Sequence, residues 1–308
     1  MSTFAQQLVN GVVIGSLYGL IALGYTMVYG IIQLINFAHG EIFMIGAFGG
    51  LAVHIYVLPD GTPALVGLVV VLLAAMATSV ATALIVERFA YRPLRNAPRL
   101  APLITAIGVS LFLQEFVRLY YFGGGAKSDR AFPQFIGGDP IRIGGVQFDR
   151  VSVFIVVIAI VLMVALSAFV RNSKTGKAMQ ATAQDRDTAQ LMGINTDRII
   201  IVAFVLGAAL AGVAGVMQGM QAGVIGFRMG FLAGIKAFTA AVLGGIGNIA
   251  GAVLGGFVLG MAETMAVAYI PGLFGGGAWK DVWAFILLIV ILVFRPQGLL
   301  GERVVNRA

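Results

Sequence analysis

The apolar positions of this chain fall in long unbroken runs, not in the alternation of a half-buried strand or the one-sided stripe of a surface helix. A helix that crosses a bilayer needs about 20 mostly apolar residues. Leu8–Ile32, Ile42–Leu58, Ala64–Val86, Ala101–Phe122, Val151–Val170 and Ile199–Met220 predict six such spans. The turn Pro59-Asp60-Gly61, a basic segment Glu87–Leu100, a Gly-rich connection Gly123–Arg150 and a charged segment Arg171–Arg198 separate them. Beyond Met220 the pattern is less regular. Phe231–Gly245 is apolar but short, and Gly244-Gly245-Ile246-Gly247-Asn248 reads as a break. Ala250–Ile270 is a full span, and Val282–Phe294 is the last. Trp279 and Trp283 suit a membrane interface, while Lys280 and Arg295 can snorkel to lengthen that short core. The pattern predicts an all-α, polytopic transmembrane helix bundle with about eight or nine spans, leaving room for one re-entrant segment. A single transmembrane domain over residues 1–308 is expected. Glycine-rich stretches near 40–50 and 244–256 each follow a long span, which suggests the pseudosymmetry common among transporters.

Composition agrees with a membrane solvent. Hydrophobic residues make up 59% of the chain and charged residues 11%, against about 25% charged in soluble domains. The 42 glycines fit helices that approach closely within a bilayer. Cysteine is absent, which excludes disulfides, thiol catalysis and Cys-based metal sites. Residues 1–10 carry no Lys or Arg, so the first apolar run is expected to be a span of the mature protein and not a secretory signal.

The net charge of +7 does not point to nucleic acid, because the basic residues sit in short segments between spans. Segments 87–100, 171–198 and 295–308 carry four, five and three Lys or Arg, whereas 59–63, 223–230 and 271–281 carry none, one and one. Segment 123–150 carries four, accompanied by three acidic residues. The first three segments are therefore expected on the cytoplasmic side, with the C-terminus inside and the N-terminus outside.

Segment 171–198 is too long for a turn. Thr175–Met192 contains no Pro and favours a short helix, which Gly193 would end. Ala178, Ala181, Thr182, Ala189 and Met192 would share a weakly apolar face, with Asp185, Arg186 and Asp187 beside it. Such a helix can lie on lipid, dock into a groove of a partner, or remain a solvated loop. Asn36, His39 and Glu41 are polar groups at the end of a membrane helix. They are candidates for the translocation path or a gate, or for satisfying helix-end backbone groups in a turn. Glu115 and Arg118 are three apart and are expected to pair, and Glu263 is expected to play a similar structural part. Arg228 and Lys236 are expected at an interface, with contact to a substrate carboxylate as the alternative. Ser16, Tyr18, Thr26, Thr105, Ser110, Thr239 and Asn248 could supply polar lining. His39 and His54 lack a third ligand in pattern, so no metal site is expected.

Several of these runs together resemble a known family. Gly24-Tyr25-Thr26-Met27-Val28-Tyr29-Gly30-Ile31-Ile32 with Ile35-Asn36-Phe37-Ala38-His39-Gly40-Glu41 closely resembles the opening of the Liv-type branched-chain amino acid ABC permeases, the LivH-like subunits in particular. Ala181-Thr182-Ala183-Gln184-Asp185-Arg186, Met192-Gly193-Ile194-Asn195 and Phe294-Arg295-Pro296-Gln297-Gly298-Leu299 resemble it as well, so the likeness covers essentially the whole chain. Asp187-Thr188-Ala189-Gln190-Leu191-Met192-Gly193 resembles the Glu-Ala-Ala-x-x-x-Gly coupling motif of ABC importer permeases, with Ala189 and Gly193 identical and Asp187 and Thr188 departing from it. The resemblance implies that Asp185, Arg186, Asp187, Ala189 and Gly193 couple the chain to an ATPase. It also implies a second permease subunit (LivM-like), two ATP-binding subunits and a periplasmic amino-acid-binding protein, in a bacterial inner membrane, with leucine, isoleucine and valine as cargo.

The chain has no phosphate-binding loop of its own: Thr175-Gly176-Lys177 lacks both the upstream Gly and the following hydroxyl residue. No cofactor and no enzymatic centre is expected. Alternatives are an ABC permease for another small solute (urea, amides, other amino acids) and an ion-coupled secondary transporter. The latter would need acidic or His relays within the spans, where the sequence places almost none.

Overall fold

The computed structural model describes residues 2–33, 36–95, 97–98, 100–123, 129–143, 145–295 and 297–301. Ile35, Arg99, Lys127, Pro296, Arg303 and Arg307 lie outside the described residues. The long apolar runs fold as helices: α1 (Ser2–Ile32), α2 (His39–Tyr56), α3 (Ala64–Val86), α4 (Leu100–Tyr120) and α5 (Arg150–Asn172). Two short helices, α6 (Lys174–Gln184) and α7 (Arg186–Leu191), precede α8 (Thr196–Ala222), α9 (Met229–Gly244), α10 (Ile249–Tyr269) and α11 (Lys280–Phe294). α3 winds on through a π-helical turn, Glu87–Tyr91, and a 3-10 turn, Arg92–Leu94. Among the described residues, two small antiparallel ribbons sit in the connections. One pairs β2 (Ile141–Ile143) with β3 (Val146–Phe148), and the other pairs β1 (Arg130–Ala131) with β4 (Val224–Ile225).

Among the described residues, seven helices are long and apolar enough to cross a membrane. α2 and α9 bring the bundle to the upper end of the expected count, and each is atypical for a physical reason. α2 carries His39, Glu41 and His54, but every residue from His39 to Leu51 is buried, so it meets protein and not lipid. α9 has 16 residues, a rise of about 24 Å, short of a full hydrocarbon core of about 30 Å. The most apolar window of α1 is 89% buried and that of α8 72%, against 28% for α3, α4 and α5 and 6% for α11. α1, α2 and α8 are therefore the axis of the bundle, and α3, α4, α5 and α11 form its outer wall.

Glycines set the spacing at that axis. α1 packs chiefly against α10, where Gly15 faces Gly256 and Gly260. A Cβ on Gly260 would lie 2.6 Å from the Gly15 Cα, and a Cβ on Gly256 the same distance from the Gly19 Cα. Backbones this close gain dispersion contact where lipid offers no hydrophobic drive.

The two halves are related. An interval of six residues separates α1 from α2 (33–38) and α8 from α9 (223–228). α1 packs on α10 as α3 packs on α8. Gln6, near the start of α1, bonds Gln147 of β3; β4, just past the end of α8, pairs β1 in the same connection. α1 and α8 thus run in opposite directions, the arrangement of an inverted repeat. The partner of α2 is α9, not the 244–256 stretch whose glycine content resembles residues 40–50. The N-terminus shares a face with residues 129–149, and segments 87–95 and 173–198 share the opposite, basic face.

Candidate functional site

The basic face carries the charged elbow. Its sequence suggests one helix from Thr175 to Met192, but the chain breaks at Asp185, whose φ and ψ are −155° and 108°. Asp competes with helix by capping the next turn. Asp185 Oδ1 accepts hydrogen bonds from the backbone N–H of Asp187 (3.0 Å) and Thr188 (3.1 Å), and Oδ2 accepts from the Thr188 hydroxyl at 2.6 Å. These donors hold the Asp185 carboxyl below the usual carboxylate range. α6 is capped by Ser173, which accepts from Gly176 N (2.8 Å), and α8 by Asn195, which accepts from Arg198 N (3.0 Å).

α7 ends at Gly193 with φ +83°. Gly193 N donates to Gln190 O (2.9 Å) and Ile194 N to Ala189 O (3.0 Å), the paired bonds of a left-handed helix stop. The break at Asp185 divides the expected apolar face. Ala178, Ala181, Thr182 and Ala189 turn inward, whereas Met192 is 78% exposed and Leu191 87% exposed. An apolar pair at the tip of a short capped helix is presented outward, with the exposed Asp187 beside it.

The elbow is tied to the bundle by ion pairs that spacing could not reveal. Arg95 is bonded to both Glu87 and Asp197, and its side chain and that of Glu87 are nearly buried. Arg92 and Arg186 approach the same Asp197 at 3.7 and 3.6 Å. Asp197 lies in the first turn of α8, where a carboxylate also favours the helix dipole. Arg186 thereby links α7 to the entrance of α8 and to the end of α3.

Asn36, His39 and Glu41 all lie inside the bundle and not on a solvated turn. Asn36 Oδ1 accepts from the Tyr91 hydroxyl at 2.7 Å. His39 meets the Tyr25 ring edge-on, with centroids 4.8 Å apart. Glu41 Oε1 accepts from Gln114 Nε2 (2.9 Å) and Ser110 Oγ (3.1 Å) of α4, and its Oε2 has no partner among the described residues. Beside them the N-terminus of α2 meets that of α9: a Cβ on Gly40 would lie 2.8 Å from the Gly234 Cα. The three polar residues thus flank a seam between the two broken elements.

Near the opposite face a second charged group was missed as a unit by sequence reasoning. Lys236 is buried, not an interface anchor. Its Nζ lies 2.7 Å from Glu263 Oε1, 2.5 Å from Asp281 Oδ1 and 3.2 Å from the Tyr18 hydroxyl. Lys280 Nζ is 3.1 Å from Glu263 Oε1. The bundle interior therefore holds more charge than the apolar runs suggest, because the acids and bases compensate one another. The only hint in the sequence is Lys236 and Glu263 standing within otherwise apolar stretches. Glu115 and Arg118 pair as expected, at 2.5 Å on the surface of α4. Of the other polar candidates, Ser16 bonds within its own helix, Ser110 serves Glu41, and Asn248 caps α10. The Thr26 and Thr239 hydroxyls are buried without a partner among the described residues.

Comparison with known proteins places this architecture. Residues 7–292 match the family described as branched-chain amino acid transport system, permease component. The chain is 47% identical, over 99% of its length and 98% of the relative's, to the high-affinity branched-chain amino acid transport system permease protein BraD of Pseudomonas aeruginosa. It is 45% and 44% identical, over 99% of its length and 97% of theirs, to the LivH permease proteins of Salmonella typhimurium and Escherichia coli K12. Among solved structures, a metal-chelate-type ABC transporter in an inward-facing conformation shares the fold, with a TM-score of 0.50, 13% identity, and coverage of 94% of this chain and 87% of that one. The chain belongs to the branched-chain amino acid transport permease family.

Proposed function

We propose that the chain is the transmembrane subunit of an ATP-driven, high-affinity importer that moves leucine, isoleucine and valine across the bacterial inner membrane. The observation that carries this reading is end-to-end similarity to BraD and LivH permeases, joined to an elbow that presents an apolar tip on the basic face. ABC permeases work with ATPase and substrate-binding components. In this reading the partners are two ATP-binding subunits, a second, LivM-like permease subunit and a periplasmic amino-acid-binding protein. ATP chemistry belongs to the partner subunits.

Residues 1–308 act as one permease domain, within which 171–198 is the coupling segment. α7 seats in a cleft of the ATPase through Leu191 and Met192. Asp185 and Gly193 fix its two ends, Ala189 packs it inward, Asp187 flanks the tip, and Arg186 passes its movement to Asp197 and α8. Asn36, His39 and Glu41 flank the seam of α2 and α9 and gate the path. Such movement would bias the bundle between its two access states. Affinity purification in mild detergent tests this. Recovery of ATPase subunits, with ATP hydrolysis stimulated by leucine-loaded binding protein, is expected; a chain that accumulates leucine alone in vesicles contradicts it.

A further inference from the structure

A cavity of about 360 Å³ opens near the face opposite the elbow, between α1, α5, α8, α10 and α11. Its polar wall includes Glu263, Lys280, Asn10 and Gln221, and its apolar wall Val13, Ile14 and Val267. Glu263 is 1% exposed; its Oε1 is shared by Lys236 (2.7 Å) and Lys280 (3.1 Å), while its enclosed Oε2 has no hydrogen-bond partner among the described residues. Lys280 keeps about a third of its side chain exposed, so its remaining N–H donors are accessible. Lys236 is already saturated by Glu263, Asp281 and Tyr18.

The charges balance: Glu263 and Asp281 against Lys236 and Lys280. A ligand with net charge would leave one group uncompensated in a poorly solvated place. A zwitterion would not. The ammonium and carboxylate of an α-amino acid are borne by one carbon. Its carboxylate can accept from Lys280, and its ammonium can donate to the side-chain oxygen of Gln221 on the same wall. An aliphatic side chain would then meet Val13, Ile14 and Val267, which offer no polar group to a hydroxyl or amide.

We propose that this cavity is a receiving subsite, within the permease subunit itself, for a zwitterionic α-amino acid with a branched aliphatic side chain. It rests on the importer reading above and adds to it a place on the delivery side where cargo is held before it reaches the seam of α2 and α9. The same ammonium-plus-anion chemistry occurs in the headgroup of phosphatidylethanolamine, so the test separates free amino acid from lipid.

The assembled complex is placed in nanodiscs of phosphatidylglycerol, with and without phosphatidylethanolamine, and tritiated leucine binding is measured without ATP or binding protein. Saturable binding is expected in both lipids. Leucinol, which lacks the carboxylate, and 4-methylpentanoate, which lacks the ammonium, should not compete. Lys280→Met and Val267→Phe should each weaken binding about tenfold or more. Val267→Ala, which enlarges the cavity and leaves the charges alone, should shift preference from leucine toward phenylalanine, and it keeps the test open if the other variants fail to assemble. Absence of wild-type binding, binding indifferent to Lys280→Met and Val267→Phe, or an unchanged phenylalanine preference in Val267→Ala would overturn the subsite. So would binding abolished by phosphatidylethanolamine together with that lipid retained in native mass spectrometry. A complex that hydrolyses ATP in response to loaded binding protein yet binds no leucine alone overturns the subsite and leaves the importer standing. A chain that recovers no ATPase subunit overturns the importer.

Discussion

Replacing Gly193 by valine perturbs one dihedral angle at the end of α7 and little else. The residue sits at φ +83°, and a Cβ built there has no atom within 4 Å, so the effect is conformational and not a clash. An L-residue in the left-handed region costs about 1–2 kcal/mol, and a β-branched one fits it worst. If the chain relaxes instead, it loses the bonds Gly193 N to Gln190 O and Ile194 N to Ala189 O, each worth about 0.5–1.5 kcal/mol net. Either route costs about 1–3 kcal/mol, a roughly 5- to 150-fold loss in the population of the correctly ended helix. Gly193→Asn is the control, because Asn tolerates this conformation. In membrane vesicles with the assembled complex, Gly193→Val should insert and accumulate normally. Leucine uptake and its coupling to ATP hydrolysis should nevertheless fall at least fivefold, with Gly193→Asn close to wild type. Full uptake by Gly193→Val, or equal losses in both variants, would refute the claim that the ordered end of α7 transmits force.

Leu191→Asp or Met192→Asp places a charge on the exposed tip and should reduce co-purification of the ATPase while leaving the chain's size-exclusion profile unchanged. The same change at Ala189, which is buried, should instead damage the elbow itself. Arg95→Ala leaves Glu87 charged and nearly buried; loss of one partner of such a pair costs about 3–5 kcal/mol. Thermal unfolding in detergent should show the drop, and a melting point unchanged from wild type would mean that Glu87 finds other partners. Gly40→Val drives a side chain into the α2–α9 seam, where even a Cβ lies 2.8 Å from the Gly234 Cα. Overpacking of about 1–3 kcal/mol and loss of uptake with retained insertion are expected, and normal uptake would remove the seam from the transport cycle.

The helical bundle is legible in the sequence because hydrophobic length alone identifies most spans: Ala64–Val86 is predicted and found with the same limits. α2 and α9 read less clearly, since helices enclosed by protein need neither full length nor uniform apolarity. The elbow is legible as a short helical segment with a glycine stop. The break at Asp185 is not, because the residue can sit in a helix and becomes a cap only through its bonds to Thr188 and Asp187. The ion pairs are the least legible part. Lys236 and Glu263 are 27 positions apart, and Arg95 and Asp197 are 102 apart, so only the packing of α9 on α10, and of the turn after α3 on α8, brings them together.

The absence of cysteine makes the native chain a ready background for single-site cross-linking. Met192→Cys, at the tip of α7, can be treated with a short bifunctional maleimide in inside-out vesicles containing the whole complex. A covalent adduct of the chain with the ATP-binding subunit, absent when cysteine replaces the exposed Leu111 within α4, is the predicted result. Reaction of Met192→Cys with an impermeant maleimide from the outside of intact cells, with no ATPase adduct in vesicles, would contradict a permease driven through its elbow.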